Sequence, residues 1–418
     1  MRKEARICVI GAGISGLGAA YYLGKRGYRR VTVLEAEPRV GGKCWTVPYA
    51  GKTYEMGSMM GVETYGRFMA LMRELEVENS GPTLYRDFFS PEGRRVPQVP
   101  PELMGEFKKQ FERLSEILGR YESIKKPGFA GIPDELKAPF SGFCEAEGVP
   151  LVQLAFAPPF TAFGYGFLDE VPAAYVLKYL DYRTLLHFIE ITHLITFVEG
   201  MQGVLERLAC RLPDLRLGSP ALRIERKSGR IEVETPWGRE DFDALILTAP
   251  LEKAATYLDL DPDERELFGR IETRRYRSYA YRIRGIPQVS GFLPRNFERD
   301  AEGHLMVWYY RWQEGGLDEN RLVTCYAAAP KGDDEPEAAR ERMEADLRAI
   351  GAEPLSLYLA KEWDFFPHVG TADLRGGFYE RLEALQGGRA TYYAGEIMNF
   401  ADLEACLAYS ADLVERFF

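Results

Sequence analysis

Hydrophobic residues follow two rhythms along this chain. Arg6-Ile7-Cys8-Val9-Ile10 opens it with a short apolar run, and Val31-Thr32-Val33-Leu34 repeats that form. Runs this short and this apolar predict buried strands of a parallel sheet. Leu17 to about Lys25, between them, reads as a helix. Phe107, Phe111, Leu114, Ile117, Leu118 and Tyr121 recur at three- and four-residue steps, one apolar face of a helix. Pro133 starts another short helix, and a longer helical region is predicted from Pro172 to about Val198. Gly200-Met201-Gln202-Gly203 opens a further helix, and Arg223 to Glu234 reads as strand, Ser-Gly turn, strand. From Arg274 to Ala329 aromatic and polar residues alternate (Tyr276, Tyr279, Tyr281, Met306, Trp308, Tyr310, Trp312), the period of a sheet. Near Ala401 the pattern turns helical again.

Placed on these elements, the glycines acquire a function. Gly11-Ala12-Gly13-Ile14-Ser15-Gly16-Leu17-Gly18 joins the first strand to the first helix, and the second strand ends on Glu35. Gly11 allows the tight turn, Gly13 the approach of a diphosphate, and Gly16 the close packing of helix on strand. The diphosphate is expected on the helix N-terminus, beside Ile14 and Ser15, where free N–H groups and the dipole favour anions. Glu35, with Ala36 after it, stands where a carboxylate accepts from ribose hydroxyls. Strand, glycines, helix, strand and acid in register predict a Rossmann-type dinucleotide site.

Two further segments select the nucleotide. Arg39-Val40-Gly41-Gly42-Lys43 has the R-x-G-G-K/R form typical of flavoproteins that hold FAD at the chain start; its glycines follow the diphosphate and its basic residues offset phosphate charge. Tyr392-Tyr393-Ala394-Gly395-Glu396 resembles the segment that closes such a site, and Phe242 to Pro250 resembles the strand by which these chains return to the nucleotide domain. FAD is the expected cofactor, and the cofactor-binding set is Gly11, Gly13, Ile14, Ser15, Gly16, Glu35, Ala36, Gly42, Lys43, Gly57, Ser58, Gly395 and Glu396.

Length and composition narrow the class. The chain has 418 residues, enough for two or three domains. The expected organisation is α/β with an α+β substrate part. It comprises an FAD-binding domain over 1–80, 199–253 and 385–418, a strand-rich substrate domain over 81–98 and 254–384, and a helical cap over 99–198. Net charge is −10 and no basic block occurs, which argues against a nucleic-acid partner. The six cysteines are scattered, which suits a reducing cytoplasm, and the four histidines show no metal-ligand spacing. No secretory signal is read at the N-terminus and no apolar run approaches a membrane span. A cytoplasmic, metal-free protein is expected.

The chain resembles the flavin amine oxidase and phytoene desaturase superfamily, and more narrowly the bacterial polyenoic fatty acid isomerases, flavoenzymes that turn linoleic acid into a conjugated diene. The runs that carry this are Tyr54-Glu55-Met56-Gly57 through Met60-Gly61-Val62, Pro159 to Gly166 (PFTAFGYG), Val171 to Asp181 (VPAAYVLKYLD) and Tyr393 to Met398 (YAGEIM). The resemblance implies that Arg86, in Gly81-Pro82-Thr83-Leu84-Tyr85-Arg86-Asp87-Phe88, binds the fatty-acid carboxylate through its fork. Read from the residues alone, Arg86 is more simply a surface arginine beside Asp87. The resemblance also implies that Phe188 gates the tunnel mouth, where helix packing is the plainer reading. Phe163, Tyr165 and Phe167 are the expected tunnel walls, with core packing as the alternative.

The implied reaction takes a hydride from the bis-allylic methylene to flavin N5 and returns it at an end of the pentadienyl cation, with no net redox change. Gly376-Gly377-Phe378-Tyr379 has no cysteine where amine oxidases often attach their flavin, so non-covalent FAD is expected. Trp363 and Tyr393 are candidates for part of an amine-binding aromatic cage. The alternatives are an oxygen-dependent flavin amine oxidase, a carotenoid-type desaturase or isomerase, and a non-catalytic flavin- or lipid-binding protein.

Overall fold

The structure, a computed structural model, describes residues 1–227, 229–313, 321–330, 332 and 335–418. Residue 228 of the Ser-Gly turn, and 314–320, 331, 333 and 334 of the 254–384 stretch, lie outside the described residues.

The apolar runs pair as their composition requires. Thr391–Tyr393, Ala244–Leu247, Ile7–Ile10, Val31–Leu34 and Leu215–Arg216 form a five-stranded parallel sheet in that spatial order. Its three central strands are buried along their whole length. The helix Ile14–Lys25 covers it and packs against the C-terminal helix Leu403–Phe417, close enough that a Cβ on Gly18 would meet Leu407 Cδ1 at 2.7 Å. Segments far apart in sequence thus build one layer.

A small antiparallel sheet follows from the hairpin pattern: Arg223–Lys227, Arg230–Thr235 and Gly238–Phe242. It is fastened by Arg226, whose buried guanidinium pairs with Asp259 at 2.8 Å and Glu264 at 2.6 Å. Both carboxylates are thereby held below the usual carboxylate range despite their burial.

The aromatic–polar alternation produces a seven-stranded sheet in the order Glu353–His368, Glu272–Arg284, Arg321–Ala328, Val307–Tyr309, Ser290–Phe292, Arg86–Phe89, Arg95–Val96. Arg86–Phe89 runs parallel to Ser290–Phe292, with Arg86 opposite Ser290. Across the molecule, Met104–Gly119 forms the predicted amphipathic helix.

The region from Pro172 to Val198 is not one helix. It is two, Ala173–Tyr179 and Tyr182–Glu190, followed by the short strand Leu194–Ile195. Leu180 is extended, and the Asp181 side chain accepts the Thr184 N–H at 2.8 Å, starting a new helix where the periodicity alone continued the old one. Ile191, at φ 55°, ends it. The tail helix likewise starts behind a cap, Asp402, which accepts the Ala405 N–H at 2.7 Å. Among the described residues no helix is long and apolar enough to cross a membrane.

Candidate active site

Between the parallel sheet and the seven-stranded sheet lies a cavity of about 780 Å³. One wall is the strand–turn–helix start. Gly11 sits at φ +104° with its N–H donating to Leu34 O at 2.8 Å. A Cβ on Gly16 would stand 1.9 Å from Gly11 O, so this glycine brings helix onto strand and does not itself line the cavity. Gly13 differs: a Cβ there would meet no protein atom within 4 Å and would project into the space a diphosphate needs. Ile14 and Ser15 begin the helix at the cavity wall, so their N–H groups have no partner within the helix. The Glu35 carboxylate accepts Ala12 N–H at 2.7 Å and Glu37 N–H at 2.8 Å, which fixes it beside Ala36 at one end.

In the 39–43 loop Arg39 also has a structural part. The Arg39 guanidinium donates to Gly42 O at 2.8 Å and Val40 O at 3.3 Å; it holds the loop together and is engaged by backbone. Lys43 pairs with Glu396 at 2.6 Å, closing the N-terminal and C-terminal motifs on each other. Gly42 is at φ +55° and Gly395 at φ +111°, conformations that a side chain would strain. Gly57 is required by contact, since its Cβ would fall 1.8 Å from Lys43 O, and Ser58 N–H donates to that same carbonyl at 3.0 Å. Gly42, Lys43, Gly57, Ser58, Gly395 and Glu396 all line the cavity.

The opposite wall is aromatic. Phe163 and Tyr165 line it together with Tyr179, Tyr276, Tyr326 and Phe365. Tyr276 stacks on Tyr326 with centroids 5.9 Å apart, and Tyr165 lies 5.1 Å from Phe365 with its hydroxyl on Ala401 O. Burial pushes the Tyr165, Tyr179 and Tyr276 phenols well above their ordinary range, so they remain neutral donors. Asp402 reaches the same cavity, and burial raises its carboxyl to about 7.

Three expected substrate residues lie outside this lining. Phe188 is buried one layer back, 5.9 Å from both the Phe163 and Tyr179 rings. Phe167 is turned away: Gly164 and Gly166, at φ +90° and +101°, reverse the chain, and Phe167 faces two outer clefts shared with Thr161. Arg86 lies over the rings of Phe88 (4.9 Å) and Phe292 (5.5 Å), and Phe292 is 6.2 Å from Phe163. Its Nη2 donates to Ile189 O at 3.0 Å, while Asp87 pairs with Arg95 instead. Among the described residues Arg86 has no carboxylate partner, and burial lowers its pKa to about 10, still protonated at neutral pH. Of the suggested cage pair, Trp363 lines the cavity, whereas Tyr393 is engaged by Glu264 within the other layer.

Sequence reasoning missed Met59, Met60, Tyr179, Tyr326, Glu252, Tyr257 and Asp402 as lining residues. Tyr179 sat inside the VPAAYVLKYLD run, and Met59 and Met60 inside the run from Tyr54 to Val62; the others carry no local signal.

Comparison with known proteins agrees with this geometry. Residues 14–396 match the flavin-containing amine oxidoreductase family. The chain belongs to that family. The crystal structure of the CLA-producing fatty acid isomerase from P. acnes superposes with a TM-score of 0.96 at 36% identity, covering 100% of both chains. Cyclohexylamine oxidase from Brevibacterium oxydans superposes at 0.68 with 19% identity over 99% of each chain, a likeness of fold. The FAD-dependent oxidoreductase dpasF of Apiospora sacchari is 28% identical across 94% of this chain and 88% of its own length. The polyenoic fatty acid isomerase of Ptilota filicina is 35% identical over 71 residues, 17% of this chain and 14% of its own.

This member of the flavin-containing amine oxidoreductase family is an enzyme that takes FAD, and the open space at Gly13, the free helix N-terminus and the paired Lys43 fit that cofactor. Two cysteines, Cys44 and Cys406, line the cavity. Burial pushes the Cys44 thiol up to about 12 and Cys406 well above its ordinary value, so neither supplies the thiolate that a covalent link needs. Acid precipitation of the yellow protein is expected to release all of its flavin as FAD into the supernatant; flavin fluorescence retained in the denatured pellet is the contrary result.

Proposed function

We propose that this flavoenzyme isomerises free polyunsaturated fatty acids of the linoleic type, moving one double bond into conjugation. The observation that carries the reading is the aromatic chamber with an arginine set behind it that has no carboxylate partner among the described residues. The likeness to the CLA-producing isomerase over the whole chain supports the same substrate class.

The chemistry asks little acid–base work of the protein. A bis-allylic C–H is not acidic at neutral pH, and loss of a hydride from it leaves a cation spread over five carbons. FAD, when bound, supplies a two-electron acceptor able to give back what it takes, so no external oxidant is required. The chain must orient one methylene, keep water from the cation and steady its charge. Phe163, Tyr165, Tyr276 and Phe365 present ring faces or edges to the chamber, and ring faces attract positive charge. With Tyr165 and Tyr276 buried and Phe163 and Phe365 partly so, these rings keep off water that would trap the cation as an alcohol. Arg86 fixes the carboxylate and so sets how many carbons lie between it and the reacting methylene. Each tenfold in rate gained by alignment is worth about 1.4 kcal/mol, so displacements in this chamber redirect the product. Phe188, one layer behind Phe163 and Tyr179 and 5.9 Å from each ring, is the ring whose movement would open the mouth, and the 99–198 helices form its cap.

Linoleate is expected to become a conjugated isomer of equal mass under argon, followed at 234 nm, with no peroxide formed. In heavy water the product should carry little deuterium. Arrest without oxygen, or stoichiometric peroxide, would establish the amine-oxidase type of chemistry instead.

A further inference from the structure

Among the described residues, the cofactor cavity contains two buried polar atoms without a hydrogen-bond partner: Oε2 of Glu252 and the hydroxyl of Tyr257. Both belong to the turn Leu251–Thr256 and the residue after it, which directly follow the strand Ala244–Leu247 and Pro250. A buried polar atom without a partner is costly, so a pair of them on one cavity wall marks where a ligand completes the hydrogen bonding.

The charges around Glu252 decide what form it takes. The groups facing it are Lys43, Glu396 and Lys253, with Tyr257 beside it. Lys43 is already paired with Glu396, and Lys253 with Asp364. Both ammoniums thus have a closer carboxylate, and they offset the burial of Glu252 only in part. Burial raises its carboxyl above the usual range before any ligand arrives. FAD then brings an anionic diphosphate into the same cavity, where the Arg39 guanidinium is tied to the loop carbonyls Gly42 O and Val40 O. An added anion raises the proton affinity of a nearby carboxyl, and by linkage the protonated protein binds that anion more tightly.

We propose that this chain takes up one proton when it binds FAD, and that Glu252 receives it. The step is acid–base only: a carboxylate oxygen gains a proton from solvent, no bond to the cofactor forms and no electrons move. Protonated, Glu252 becomes a neutral donor on the wall that also holds the Tyr257 hydroxyl, and the repulsion between its charge and the diphosphate disappears. Asp402 is the other raised carboxyl in this cavity, but its oxygen is engaged by Ala405 N–H, and Glu404 and Lys125 face it from its own side. The inference rests on the FAD site alone and is independent of the fatty-acid reading.

The experiment is dilution of the holoenzyme between pH 5.5 and 9, reading released FAD by its fluorescence. The wild-type Kd should climb with pH, by up to about tenfold per unit once the flavin-free carboxyl is ionised, as uptake of a single proton requires. Glu252→Gln, neutral at every pH and still a donor, should hold FAD with a flat profile near the wild-type value at low pH. Glu252→Asp should restore the slope, and Asp402→Asn should leave it in place. A flat wild-type profile overturns the proposal. So does a slope that survives in Glu252→Gln, or one that vanishes in Asp402→Asn, which would assign the proton to Asp402.

Discussion

Arg86→Ala is expected to lower kcat/KM for free linoleate by roughly 2–5 kcal/mol, a loss of about thirty- to several-thousand-fold, mainly through KM. The argument rests on what Arg86 lacks. Its guanidinium is held by two rings and one carbonyl, Ile189 O, and no carboxylate of the described residues neutralises it. The desolvation that lowers its pKa to about 10 is a cost the free enzyme carries, and a ligand carboxylate relieves it. Removing the arginine leaves the ligand's charge unpaired against Phe88 and Phe292. FAD content should not change, because Arg86 is separated from the cofactor wall by Phe292 and Phe163. The methyl ester should be a poor substrate of the wild type and lose little more in the variant. Arg86→Lys should recover only part of the activity, since an ammonium keeps the charge without the fork. Steady-state rates with acid and ester across the three proteins decide it. Normal turnover of free linoleate by Arg86→Ala would remove the carboxylate role and oblige a search for another anchor.

The two halves of the site were unequally legible. The cofactor wall is made by short contiguous segments whose residue types are forced locally. Gly16 has no room for a Cβ, Gly57 none either, and Gly42 and Gly395 have backbone angles that favour glycine. Such constraints are written in the sequence one residue at a time, so the motif reading placed them without any tertiary information. The substrate wall is made differently. Tyr276 and Tyr326 meet because their strands pair, Tyr276 opposite Ala328; neither position says on its own which face will look at the cavity. Phe167 was expected beside Phe163 and Tyr165 because it adjoins the same run, but Gly164 and Gly166, at positive φ, turn the chain between them. The break inside the helical region read from Pro172 onward was illegible for a similar reason. Asp181 fits a polar helical face as well as it fits a cap, and only its hydrogen bond to Thr184 N–H separates the two. Glu252 and Tyr257 carry no motif at all, and their interest arises from being unsatisfied in three dimensions.

The contrast between Gly13 and Gly16 gives the sharpest test of the cofactor wall. Gly13 has φ −74° and ψ 179°, a conformation open to any residue, and a Cβ there touches no protein atom within 4 Å. Gly13→Val should therefore fold, keep its far-UV spectrum and remain soluble. Its isopropyl group, however, would occupy the space beside the helix N-terminus. Overpacking of this kind costs roughly 1–3 kcal/mol and more where the neighbour cannot move, so FAD affinity should fall at least five- to about 150-fold. The purified protein should be pale, and added FAD should raise its Tm far less than it raises that of the wild type, because stabilisation by a ligand follows its Kd. Gly16→Val places its Cβ 1.9 Å from the Gly11 carbonyl, an atom of the backbone turn itself. That clash is present with or without cofactor and should lower the Tm of the flavin-free protein or prevent its accumulation. If Gly13→Val instead purifies yellow with full FAD occupancy, the diphosphate does not approach the backbone at this turn, and the dinucleotide reading of the first glycines fails at its central residue.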